Sequence, residues 1–175
     1  MRKNFIWASL VMISGTFSSF SALSHDGTIK FNGKIIDSTC TVDSNGNKNE
    51  FDFGHIFTSV LNGETGKSSE LKEFTISFVK CPTSVSAFNI QFDAGTTNTD
   101  SSDNTNYFAT TLKNVAIAMY KSDGTTEIKP GTKVNNININ SGSGNYTIKA
   151  HLISTGNTVT AGNFTSNVNI TTDYP

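Results

Sequence analysis

The chain has 175 residues with 13 basic and 14 acidic side chains, a net charge of −1. That balance argues against nucleic acid, which wants a basic face. The length suits one domain with a real core.

Arg2 and Lys3 precede a mostly apolar or small stretch from Phe5 to Phe20, and Ala22-Leu23-Ser24 carries small residues where a signal peptidase cuts. This predicts a secretory signal peptide over residues 1–24. Ser9, Ser14, Thr16, Ser18 and Ser19 interrupt the stretch, whereas a membrane anchor needs about 20 clean apolar residues. Cleavage leaves 175 − 24 = 151 residues, with 11 basic against 14 acidic, and no later apolar run long enough to span a bilayer. The expected compartment is oxidising, a bacterial periplasm or an extracellular space. There the two cysteines, Cys40 and Cys81, read as one disulfide. It closes a loop of about 40 residues, for roughly 4 kcal/mol in the chain-entropy picture.

Directly after the leader, Gly27, Ile29, Phe31, Gly33 and Ile35 alternate with Thr28, Lys30, Asn32 and Lys34. That is the period of a strand with one apolar face. The remaining chain holds no helical apolar period for three turns. Short alternating runs recur instead, separated by Gly, Asn, Asp and Ser, which predicts an all-β sandwich or barrel. Residues 35–42 continue the first strand and deliver Cys40. Asp43 to Asn49 is a polar turn, and Phe51-Asp52-Phe53 a short strand stopped by Gly54. His55 to Ser69 reads as a loop anchored by Leu61.

Phe74, Ile76 and Phe78 face one way in a strand that ends at Cys81-Pro82, since proline cannot donate to a ladder. Phe88, Ile90 and Phe92 alternate next, followed by a polar loop from Thr96 to Asn106. Val115, Ile117 and Met119 lead into Ser122-Asp123-Gly124, a hairpin signal because the turn needs positive φ. Pro130-Gly131 is a further turn. Ile137 and Ile139 lead to the tip Ser141–Gly144, and Tyr146, Ile148, Ala150 and Leu152 alternate beyond it. Finally Phe164, Ser166, Val168, Ile170, Thr172 and Tyr174 share one face up to Pro175. A last strand with no strand to follow it leaves an open, apolar edge.

Five segments, in this order, make the mature chain resemble a pilin of the chaperone–usher class, close to type 1 fimbrial subunits. They are Phe31-Asn32-Gly33-Lys34-Ile35-Ile36 ahead of Cys40, then Phe51-Asp52-Phe53-Gly54, then Phe74-Thr75-Ile76-Ser77-Phe78 running into Cys81. Val159-Thr160-Ala161-Gly162, with Gly162 fourteenth from the end, and the penultimate Tyr174 complete the set.

The resemblance implies an all-β, incomplete immunoglobulin-like sandwich lacking its last strand, with an N-terminal donor-strand extension. It divides the chain into a signal peptide (1–24), a donor-strand extension (25–36) and a pilin domain (37–175). It further implies that a periplasmic chaperone lends a strand to the groove, and that at the outer-membrane usher a neighbouring pilin subunit's extension replaces it. Such strand addition takes affinity from the backbone and specificity from alternate pockets. Ile29, Phe31, Gly33 and Ile35 become the donor residues, with Gly33 matching the family's invariant glycine. Gly162, Phe164, Val168, Ile170, Tyr174 and Pro175 become the acceptor groove and chaperone contact, the Pro175 carboxylate being held by chaperone basic residues. Phe164 stands where the family usually has a small residue, and Thr172 where it has an apolar one. The implied function is a structural subunit that polymerises by donor-strand exchange, is exported through the periplasm to a cell-surface fimbrium and contributes to adhesion.

A second reading is a minor, tip-proximal adaptor with a side-facing site for a host glycan receptor, using Lys121, Lys129 and Lys133. A solvated surface is the preferred account of those lysines. An enzyme is not expected, with no cofactor or metal. His25, His55 and His151 are scattered singly without metal-ligand spacing, and no recognisable triad motif is present.

Overall fold

The computed structural model describes residues 30, 32, 39–43, 50–95 and 106–175. The chain divides into two units, Met1–Lys34 and Ile35–Pro175. Among the described residues, the second unit holds nine strands and one turn of helix: β1 (Thr41–Val42), α1 (Thr58–Leu61), β2 (Lys72–Val79), β3 (Ala87–Ala94), β4 (Phe108–Ala109), β5 (Val115–Lys121), β6 (Glu127–Ile128), β7 (Thr132–Asn138), β8 (Gly144–Ser154) and β9 (Val168–Asp173).

Two antiparallel sheets face each other. The larger runs β1-β2-β8-β5-β4, with β6 pairing a second stretch of β5, and the smaller runs β7-β3-β9. The alternation read from the sequence sets which side chains meet between them. In β2 and β8, Phe78 faces Gly144, Ile76 faces Tyr146 and Phe74 faces Ile148. From the opposite sheet Phe88, Ile90 and Phe92 of β3 enter with no exposed surface. Phe78 meets Phe88 edge-on at 4.8 Å between ring centroids, a geometry aromatic pairs prefer. Fully burying one such side chain contributes about 1.5–3 kcal/mol.

The turns follow the backbone chemistry. Gly124 adopts φ +73° in the β5–β6 hairpin, and the Asp123 carboxylate accepts from the Thr125 and Thr126 amides at 2.8 Å. Those bonds, with one from the Thr126 hydroxyl, hold its pKa well below the usual carboxylate range. Cys40 and Cys81 are joined as expected, with Cα atoms 4.1 Å apart.

Three elements differ from the sequence reading. Residues 51–53 form no ladder; Phe51 and Phe53 are held by rings instead, stacking on and meeting the edge of Phe74 at 4.5 and 5.5 Å. The stretch from His55 to Ser69, expected as loop, contains α1, whose Leu61 is buried. One turn is too short to show a helical period. The last strand begins at Val168 rather than Phe164, because residues 164–167 find only isolated partners: the Thr165 carbonyl accepts from the Thr111 amide and that of Asn167 from the Gly95 amide. The loop from Thr96 to Asn106 lies almost wholly outside the described residues, as does most of the turn from Asp43 to Asn49.

Candidate functional site: a groove beside the last strand

The last strand occupies an edge. β9 pairs with β3 on one side, and among the described residues no strand pairs with its other side. Its inward face is the apolar alternation seen in the sequence. Phe164, Ser166, Val168, Ile170, Thr172 and Tyr174 are all only half-buried, while the intervening residues from Asn163 to Thr171 are exposed. Of the β3 residues facing them, Ile90 opposite Thr172 and Phe92 opposite Ile170 are fully buried, whereas Ala94 opposite Val168 is exposed. A strand whose core-facing side chains remain half in water bounds a core that is unfilled on that side.

The space left is a cavity of about 830 Å³ lined by Phe164, Val168 and Ile170 on one wall and Phe51, Phe53 and Val42 on the other. Ile117, Met119, Ile148 and Ala150 form its floor. A second cavity of about 490 Å³ continues it past Phe164 to Gly162, Val159 and α1. Phe164 lines both cavities, its ring 6.1 Å from that of Phe53. The groove is thus one apolar trough partly divided by a phenylalanine. At Gly162 a Cβ would come within 3.2 Å of Leu112, so the glycine keeps the rim of the smaller cavity clear.

The end of the groove is tied down. The Cys40 amide donates to the Tyr174 hydroxyl. One residue earlier, Asp173 Oδ2 accepts from Lys133 Nζ of β7 at 2.8 Å and from Asn89 Nδ2 of β3 at 3.0 Å, and the two bonds lower its pKa. The acceptor residues named from the sequence therefore separate into two groups. Gly162, Phe164, Val168 and Ile170 line the groove, whereas Tyr174 is anchored at Cys40 and Pro175 lies exposed beyond. The donor residues Ile29, Phe31, Gly33 and Ile35 lie outside the described residues. The groove floor from β5 and β8, and Leu112 at the rim, were not named as site residues. Their signal was the inward alternation of Ile117 and Met119 with Ile148 and Ala150, which by itself reads as ordinary core.

The chemistry of the trough is apolar. Glu50, Asp52 and His55 sit at its margin as exposed side chains. Among the described residues no three His, Cys, Asp or Glu side chains are placed to share a metal ion. Two of the three lysines considered for a receptor site are already paired: Lys129 with Glu127 at 3.1 Å and Lys133 with Asp173 at 2.8 Å.

Known proteins agree with this architecture. The fimbrial protein family profile matches residues 29–175. The laminin-binding fimbrial subunit ElfA of Escherichia coli O157:H7 is 30% identical over 186 residues, covering 99% of each chain. The probable major fimbrial subunit LpfA of the same organism is 31% identical over 97% of this chain and 94% of its own. In fold, the P pilus rod subunit PapA superposes with a TM-score of 0.61 over 79% of this chain and 100% of that one, at 19% identity. A subunit of a chaperone–usher pilus gives 0.56 over 95% and 100%, also at 19% identity. The chain belongs to the fimbrial protein family, whose members are structural subunits and not enzymes, and it shares the fold of pilus subunits.

Proposed function

We propose that the groove accepts an extended strand from a neighbouring subunit, and that this chain donates residues 25–36 to the next one in the same way. The single observation behind this reading is the row of half-buried, inward-facing side chains on β9 above an apolar trough of about 830 Å³. An added strand would pair with the outer edge of β9 and place alternate side chains in the trough, the mode of recognition called strand addition. The segment from Gly27 to Ile35 has the matching alternation, with Ile29, Phe31, Gly33 and Ile35 on the entering face. Signal-peptide cleavage after Ser24 would free it. Before assembly the same trough needs a temporary occupant, for which a periplasmic chaperone strand, handed over at an outer-membrane usher, has the right chemistry. Adhesion then belongs to the assembled fimbria. The laminin-binding relative makes a matrix glycoprotein the receptor to try first.

The test uses the mature chain carrying Ile29→Asp and Phe31→Asp, which cannot offer its own apolar strand. Its melting temperature is recorded with and without a wild-type peptide spanning His25 to Asp37. A rise with the wild-type peptide, absent with the doubly substituted one, is expected. A chain indifferent to both peptides would show the sandwich already closed and would end this reading. The adaptor with a lysine-rich glycan face has no comparable support, because Lys129 and Lys133 are engaged in ion pairs.

A further inference from the structure

Phe57 is the most exposed large hydrophobic residue described, at 76%. Its exposure is not looseness. The Phe57 carbonyl accepts from the Val60 amide at 3.0 Å as α1 begins, and Leu61 of α1 is buried. Just beyond, the Asn62 carboxamide accepts from the Val159 amide at 2.5 Å. On the other side, the Asp52 carboxylate accepts from the Gly54 amide at 2.8 Å, and Lys72 Nζ donates to the Phe53 carbonyl at 2.6 Å. The chain holds an aromatic ring out into water on a braced segment. Phe57 also lines the smaller cavity, beside Thr160 and Gly162.

We infer that Phe57 is an anchor for the body of the neighbouring subunit, packing against the end of that copy that carries Cys40 and Cys81. This rests on the groove taking a neighbour's extension. The described strand pairs are all antiparallel. A strand added antiparallel to β9 enters beside Tyr174 and leaves beside Thr160, where Phe57 stands. Chain length then limits where the neighbour's body sits. The two cavities run from Val159 to Ile170, 170 − 159 + 1 = 12 residues, while His25 to Thr39 supplies 39 − 25 + 1 = 15. A strand that fills both cavities leaves at most three residues before the neighbour's Cys40, a reach of about 10 Å. That copy's Cys40 end includes the disulfide and the hairpin tip, where the Gly142 carbonyl accepts from the Cys81 amide at 3.0 Å. It is brought against the mouth of the groove, where Phe57 is the most exposed large apolar side chain described.

The experiment assembles fibres from the full chain with a photo-crosslinking benzoylphenylalanine at position 57 or, separately, at position 164. Crosslinked peptides are then identified by mass spectrometry. Position 57 is expected to capture peptides containing Cys40 or Cys81 from another copy, and position 164 to capture residues 25–36. If position 164 captures the extension but position 57 captures only its own chain or nothing, the anchor is overturned and strand donation stands. If position 164 captures no extension, both readings fall. As a second measure, Phe57→Ser leaves the melting temperature of the mature chain unchanged, because the ring is exposed. It is expected to weaken association between subunits by roughly tenfold or more, in proportion to the apolar surface lost. Assembly unaffected by Phe57→Ser counts against the anchor.

Discussion

Asn89 shows how much one buried polar side chain can organise. It lies on β3 between β7 and β9 and is 6% exposed. Its amide nitrogen donates to Asp173 of β9, and its amide oxygen accepts from the Asn136 amide of β7 at 3.0 Å. Asn136 has φ +61°, so the bond also supports a left-handed backbone residue. Asn89→Ala removes one donor and one acceptor from partners that remain. A loss of about 1–3 kcal/mol is expected in denaturant unfolding, with the C-terminal end of the groove loosened. His151 carries a different consequence. It lies on the outer face of the larger sheet, edge-on to Tyr120 at 5.5 Å, and its Nε2 is buried without a hydrogen-bond partner. Burial lowers its pKa below the ordinary 6.5. The unfolded chain therefore takes up the proton first as pH falls. Stability is complete above about pH 6.5 and declines on acidification towards the lower folded value. Melting temperatures between pH 7.5 and 5 are expected to fall for the wild type and to flatten in His151→Gln. An equal slope in both would place the titration elsewhere.

At the scale of elements, the disulfide and β9 act together. Cys40 and Cys81 are 41 residues apart in sequence, and the bond joins the chain just before β1 to the chain just after β2. The Cys40 amide in turn donates to Tyr174 at the end of β9. The bridge therefore secures both the larger sheet and the end of the open strand. β1 pairs over two residues only, too few to hold alone. Replacing both cysteines by serine is expected to cost roughly 4 kcal/mol from loop closure, read as a lower unfolding midpoint. Peptide binding to the groove should weaken as well, because the Tyr174 end loses its tether. A double serine variant with unchanged affinity for the His25–Asp37 peptide would separate the two roles.

For the whole molecule, the decisive quantity is the core that the described residues leave open beside β9. The two sheets bury Phe78, Phe88, Phe92 and Phe108 almost entirely, yet the trough beside β9 stays open. An occupant of the trough acts by mass action on the folded state. At a hundred times its Kd, the donor peptide adds roughly 2.7 kcal/mol. For a domain of this size that corresponds to about 5–10 °C in melting temperature, the shift expected for the Ile29→Asp, Phe31→Asp chain. On the proposed reading the neighbour supplies the same gain in a fimbria, and the stability of each subunit becomes a property of the polymer.

Most of the β architecture was legible because strand alternation is local. Phe74-Ile76-Phe78, Phe88-Ile90-Phe92 and the Asp123-Gly124 turn are each set by neighbours within a few residues. The even pair of cysteines, read with the expected signal peptide, sufficed for the disulfide. The one turn at α1 and the ring-held Phe51 and Phe53 were not legible, because neither has a period; their positions depend on Phe74 and on Val159, far along the chain. The inward face of the last strand was visible in the sequence from Phe164 to Tyr174. Whether that face met a filled core or an open trough was not, since an alternating strand reads identically in both cases. The answer depends on which strands lie on either side of β9, and sheet order is a matter of long-range pairing. Local alternation and cysteine count set the strands, the bridge and the apolar edge; long-range strand pairing alone made that edge border a groove, with Phe164 partly dividing it and Phe57 at its mouth.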